Sequence, residues 1–224
     1  MQLEKTTKPR RNEGKRSYED ACGLAHALEL IGERWALLVM RELMFGPRRF
    51  SELKADLPGI SANVLAQRLN ELEERGLVRR TRLPPPASVQ VYEATEWGLE
   101  AAPVIRDLGR WAVRSLGHDP GRPVSHVSIM MSMQAMFDAG RADGLVARAG
   151  CKLRENSYVA EVRDGRIDVS RGPIERCDFV VTAAPEQVAA VLYGGAPLDS
   201  VSIEGDLALA RRFTTLFPLP PKVS

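Results

Sequence analysis

Between residues 48 and 82 the chain gathers side chains suited to reading nucleic acid. Ser61, Asn63, Gln67 and Arg68 fall close together, Arg48 and Arg49 precede them, and Arg80 and Arg82 follow. Short polar and guanidinium side chains hydrogen-bond base edges and phosphates. A helix beginning at Ser61 would add free N–H groups and a positive dipole end, which suit a phosphate. A second reactive type is Cys22, with His26 one turn on and Arg34 nearby. An accessible, stabilised thiolate there would be reactive; the other reading of Cys22 is plain packing. Catalytic patterns are missing. The three His (His26, His118, His126) are scattered, and no phosphate-loop, nucleophile-elbow or HExxH motif occurs. Cys22, Cys151 and Cys177 lie far apart with no CxxC pair, which argues against a disulfide scaffold and a structural zinc site. No enzyme activity, cofactor or metal is expected.

These side chains need a helical frame, and the apolar spacing supplies one. Leu24, Leu28 and Ile31 recur on one helix face, and Gly32 ends that helix. A strongly apolar helix runs from Trp35 to Leu43 and stops at Gly46-Pro47. A short helix follows from Ser51, read as its N-cap, to Leu57. After the Pro58-Gly59 turn, Ser61 caps a fourth helix whose stripe Leu65, Leu69, Leu72 faces a core, with Gly76 ending it. That stripe turns Ser61, Asn63, Gln67 and Arg68 outward. Residues 77–83 and 89–94 read as two strands across Pro84-Pro85-Pro86, and Thr95 caps a last helix carrying Leu99, Ile105, Leu108 and Trp111. This order is that of a winged helix-turn-helix.

The 224 residues allow one large domain or two small ones, and 44% hydrophobic with 27% charged residues is a globular balance. No apolar run is long enough to span a membrane or sits at the N-terminus, so a cytoplasmic location and no membrane partner are expected. The net charge of +2 is uneven: residues 1–17 hold six Lys/Arg against two Glu and almost no large apolar residue. They are expected to be a disordered basic tail, either solvated or touching phosphates. The Gly- and Pro-rich run from Gly117 to Pro123 reads as a domain boundary. The organisation is then a tail at 1–17, a winged-helix domain at 18–116, a hinge at 117–124 and a second domain at 125–224.

In the second domain, residues 125–142 read as one Met-rich helix. Residues 158–163 and 166–169 form a hairpin across Asp164-Gly165, and Cys177 to Thr182 is another strand. Pro185 opens a helix, and a last helix starts at Asp206.

The stretch Cys22-Gly23-Leu24-Ala25-His26 through Ile31-Gly32-Glu33-Arg34-Trp35 is similar to the opening of HxlR-type winged-helix regulators. The match continues through Gly46-Pro47-Arg48-Arg49-Phe50, Leu57-Pro58-Gly59-Ile60-Ser61, Gln67-Arg68-Leu69 and Gly76-Leu77-Val78-Arg79-Arg80. The resemblance implies a homodimeric regulator of transcription, paired through its first and last helices, with Cys22 at the position of a leading Cys that is a sensor in some members. The uncharged wing tip, Pro84 to Ser88, departs from relatives that often hold Arg or Lys there, which leaves Arg80 or Arg82 to make any wing contact.

The second half, through Cys177-Asp178-Phe179-Val180-Val181-Thr182 and Ile203-Glu204-Gly205-Asp206 with Arg211-Arg212-Phe213, resembles the sterol-carrier-protein-like fold. That resemblance implies an antiparallel sheet with helices on one side and an apolar cavity between them. Candidate lining residues are Met130, Met133, Phe137, Phe179, Leu192, Leu209 and Phe213. The fold class expected is thus α+β, a winged helix-turn-helix followed by an antiparallel sheet with helices. The expected protein is a homodimer that binds double-stranded DNA, with a second half that binds an apolar ligand or adds a dimer contact. A lipid carrier whose N-terminal half only dimerises, and a regulator sensing redox state through Cys22, are the rival readings.

Overall fold

The computed structural model describes residues 17–223. The expected basic tail lies, except for Ser17, outside the described residues. Two helices open the fold, α1 (Gly23–Ile31) and α2 (Ala36–Glu42), followed by α3 (Phe50–Asp56) and α4 (Ala62–Glu74). A two-stranded antiparallel ribbon, β1 (Val78–Arg82) with β2 (Gln90–Ala94), pairs Val78 with Ala94 and Arg82 with Gln90. Leu53, Leu65, Leu69 and Leu72 are fully buried with Val39, Met40 and Leu43, so the apolar stripe of α4 is the centre of this first core. Each such side chain contributes roughly 1.5–3 kcal/mol on burial. Gly76, at φ 73°, terminates α4 in the left-handed conformation that glycine adopts without a Cβ penalty.

Three local expectations are corrected. Ser51 lies inside α3, whose cap position is Arg49; the Arg49 backbone N–H donates to the Glu52 carboxylate at 2.9 Å. The helix expected after Thr95 is two helices, α5 (Glu96–Leu99) and α6 (Ala102–Ala112), because Pro103 sits in the first turn of α6 and cannot continue the preceding one. The Met-rich helix likewise stops early. α7 (His126–Met136) ends at Phe137, which is extended, and Asp138 caps the short α8 (Ala139–Ala142) while its backbone N–H donates to the Leu216 carbonyl.

The second half contains a five-stranded sheet ordered β5-β4-β3-β6-β7, built from β3 (Ala147–Leu153), β4 (Asn156–Arg163), β5 (Arg166–Arg171), β6 (Phe179–Ala183) and β7 (Ser202–Gly205). Asp164 and Gly165, both at positive φ, make the tight turn between β4 and β5. The sheet is mixed, not antiparallel throughout as expected: the central strand β3 runs parallel to β6 and antiparallel to β4. β6 follows β5 in the chain and adds to the far side of β3, in the parallel sense.

Helices α7, α9 (Pro185–Tyr193) and α10 (Leu207–Thr214) bring Met130, Met133, Met136, Val188 and Phe213 into a second core with Tyr158, Ala160 and Phe179 of the sheet. Phe179, Phe213 and Phe217 stack edge to face, with centroids 5.4 and 5.2 Å apart.

The two cores touch. Phe45 and Val113 pack against the second core, and Phe45 meets Tyr158 edge-on at 5.5 Å. Arg106 and Arg110 of α6 donate to Gln134 and to the Ala135 carbonyl of α7.

Candidate nucleic-acid interface

The outward face of α4 begins at its cap. The Ser61 hydroxyl accepts from the Val64 N–H at 3.2 Å, which fixes the first turn. Ser61, Asn63, Gln67 and Asn70 are exposed on the side opposite Leu65, Leu69 and Leu72. Gln67 donates to Glu71 at 3.0 Å, a contact between exposed groups that a base edge can replace. Arg49, just before α3, is exposed. On the ribbon, Arg82 spans the wing loop by donating to the Ser88 carbonyl at 2.9 Å. Arg80 lies over the Tyr92 ring at 5.2 Å and donates to Asn70 at 2.9 Å and Glu73 at 3.2 Å. The wing is thereby fastened to the back half of α4, an attachment made by Asn70 that the sequence reading did not include.

Two of the expected DNA contacts are not on this surface. Arg68 is 7% exposed, and its Nη1 lies 2.7 Å from Glu71 and 3.3 Å from Glu33. Arg48 is 4% exposed. It pairs with Asp56, lies 3.2 Å from Glu52 and donates toward His126 at 3.1 Å. Burial disfavours the Arg48 charge, yet its acid partners, Asp56 first, outweigh that and raise its pKa. Burial likewise acts against the Asp56 carboxylate, and hydrogen bonds from His126 and Arg48 reverse the effect and hold Asp56 below the usual carboxylate value. Both arginines are structural ion-pair partners. Helical periodicity placed Arg68 outward, but it lies at the border of the apolar stripe, where a long side chain can fold its stem inward.

Cys22 is exposed at the cap position of α1. The backbone N–H groups of Ala25 and Leu24 at the start of the helix lower its pKa. His26, one turn on, faces Glu29 at 3.4 Å.

In the second half, Met133, Phe179, Leu192 and Phe213 line an apolar cavity with Cys151 and Val188. Its volume of about 30 Å³ is room for roughly one water molecule. Met130, Phe137 and Leu209 belong to the surrounding core and not to the cavity wall. Among the described residues no group of three or more His, Cys, Asp or Glu could hold a metal ion, and no helix is long and apolar enough to cross a membrane.

A helix with an exposed polar N-terminal face, a buried leucine stripe and an arginine-bearing wing at its side defines a winged helix-turn-helix protein. Residues 30–120 match the model of the HxlR-like helix-turn-helix family. The chain is similar to YvaP of Bacillus subtilis, described as an uncharacterized HTH-type transcriptional regulator. The two are 37% identical over 86 residues, which is 38% of this chain and 80% of that protein. It is also similar to the HTH-type transcriptional regulator YodB of the same organism, 40% identical over 86 residues, 38% of this chain and 77% of that protein. The solved reduced form of Bacillus subtilis YodB is 36% identical, matched over 45% of this chain and 98% of that one, with a TM-score of 0.38. The chain belongs to the HxlR-like helix-turn-helix family and is a DNA-binding transcriptional regulator.

Proposed function

We propose that the protein is a homodimeric repressor that binds a two-fold-symmetric DNA site by inserting α4 into the major groove of each half-site. The observation that carries this reading is the exposed polar face of α4. Asn63 and Gln67 are amides that pair with adenine N6 and N7. Ser61 and Arg49 then meet phosphates, and Arg80 and Arg82 bring the wing to the backbone.

Dimerisation is supported by apolar side chains left open in one chain. On α1 these are Leu24 (68% exposed) and Leu28 (44%); on α6 they are Val104, Leu108 and Trp111, the last at 70%. Soluble monomers rarely leave large contiguous apolar patches uncovered.

In this proposal residues 18–116 form the DNA-binding and dimerisation unit, and 117–124 connect it to a sterol-carrier-protein-like unit at 125–224. Four of the seven expected lining residues border the cavity there, which supports an apolar ligand. The present volume requires α9 or α10 to move before more than a very small molecule enters.

A second reading, redox control through Cys22, is favoured by that thiol's exposure and lowered pKa. Among the relatives, YodB has been solved with a quinone bound.

The test is selection of binding sites from a pool of random duplexes by the purified protein. Enrichment of two related half-sites about one turn apart, ~34 Å, is expected. Failure to enrich any sequence would favour the carrier reading, in which the N-terminal half only dimerises.

A further inference from the structure

The contact between the two halves of the molecule is polar at its centre, and its centre is His126. The ring opens α7. Its Nδ1 lies 2.6 Å from the Tyr158 hydroxyl on β4, and its Nε2 lies 3.1 Å from Arg48 Nη1 and 3.2 Å from Asp56 Oδ2. Three of these four groups are deep: Tyr158 is fully buried, His126 and Arg48 are each 4% exposed, and Asp56 is half-buried. Next to it, the Ser125 hydroxyl donates to Glu42 of α2 at 2.7 Å, a second polar tie across the same junction.

Arg48 distributes what His126 holds. Its side chain pairs with Asp56 and Glu52, both on α3 or at its last turn. Its backbone exchanges two hydrogen bonds with Tyr92 of β2, each 2.8 Å. Arg80 rests on the ring of that same Tyr92 and grips Asn70 and Glu73 of α4. A continuous set of contacts therefore joins the sheet of the second half to α3, to the wing and to the back of α4.

A neutral imidazole has one N–H and one lone pair for these three partners. With the proton on Nε2, the ring donates to Asp56 and accepts from the Tyr158 hydroxyl, and Arg48 Nη1 loses its acceptor. With the proton on Nδ1, the ring donates to Tyr158 and accepts from Arg48, and Asp56 loses a donor. The junction thus has two hydrogen-bonded arrangements that differ in which residue of the winged helix is held, the kind of two-state element that coupling between sites requires.

We propose that His126 is a positioning residue for DNA binding: through Arg48 it fixes α3 and the wing in the arrangement that α4 needs, and carries the state of the second half to the DNA-binding face. This rests on the reading that α4 and the wing bind DNA. It is tested on the full-length protein with the duplex that the wild type selects from a random pool. His126→Phe keeps an aromatic ring, somewhat larger, and removes both nitrogens. It is expected to fold, judged by near- and far-ultraviolet circular dichroism, and to bind that duplex roughly tenfold more weakly. His126→Gln, whose amide reaches the Nε2 position, is expected to recover most of the affinity, a rescue that a purely space-filling role would not show. Where His126→Phe does not fold, Tyr158→Phe, which removes one oxygen, takes its place and is expected to weaken binding in the same direction. A folded His126→Phe or Tyr158→Phe that binds as the wild type does would overturn the proposal, as would a loss that His126→Gln leaves unrestored. If the wild type selects no duplex, the DNA-binding reading itself fails, and this inference fails with it.

Discussion

Arg48 and Arg49 are neighbours in sequence and opposites in role. Arg49 is exposed beside the candidate DNA face, whereas Arg48 is buried among Asp56, Glu52 and His126. A phosphate contact releases counterions, so removing one reduces the slope of log affinity against log salt by about one. Arg49→Ala is therefore expected to flatten that slope by about one. Arg48→Ala is expected to leave the slope unchanged and to lower the unfolding midpoint in urea, since a buried carboxylate loses its partner. Salt titrations of both variants check the difference. Asp56 adds a pH signature. Its folded pKa lies below the unfolded value of about 3.9, so its stabilisation is complete above that pH and is lost as pH falls through the folded value. The stability gap between the wild type and Asp56→Asn, measured by denaturation, should be full at neutral pH and begin to close below about pH 4. None of this was legible in the sequence. Arg48 and His126 are 78 residues apart, and residue type alone does not distinguish an arginine that meets phosphate from one that meets a buried carboxylate.

At the level of elements, the sequence was readable wherever local spacing and burial agree. The stripe Leu65, Leu69, Leu72 specifies α4, Ser61 and Gly76 mark its ends, and the structure buries the stripe completely. Leu69→Ala should cost about 2–5 kcal/mol, because the enclosed site cannot collapse onto the gap, and should appear as a lowered midpoint with an unchanged slope in chemical denaturation. Strand β3 was not legible. Its sequence, Ala147-Arg148-Ala149-Gly150-Cys151-Lys152-Leu153, lacks β-branched and aromatic residues, although it is the central strand of the sheet. Small residues fit there because the strand is covered closely: a Cβ on Gly150 would lie 3.0 Å from Val180 and 3.1 Å from Ile174. The breaks at Pro103 and Phe137 were missed for different reasons. Pro103 is a local signal outweighed by the apolar periodicity around it. The turn at Phe137 is held by the backbone bond from Asp138 to Leu216, a distant partner.

At the scale of the whole molecule, an exposed polar face on α4, apolar faces on α1 and α6 and a buried polar junction to the second half occur together. The proposed dimer rests on the apolar faces: Leu108→Glu on α6 would place a charge in the proposed contact, and sedimentation is expected to show a monomer for this variant and a dimer for the wild type. The central claim, that α4 reads DNA through Asn63 and Gln67, is tested most directly by equilibrium titration of the Asn63→Ala, Gln67→Ala double variant. It would be titrated against the duplex selected by the wild type and against a scrambled duplex of the same composition. Each amide that pairs bidentately with a base is worth about 1–3 kcal/mol of discrimination. Affinity for the selected duplex is expected to fall on the order of 100-fold, affinity for the scrambled duplex to stay within about twofold, and unfolding to be unaltered because both side chains are exposed. A folded double variant that still prefers the selected duplex as strongly as the wild type would contradict the central claim.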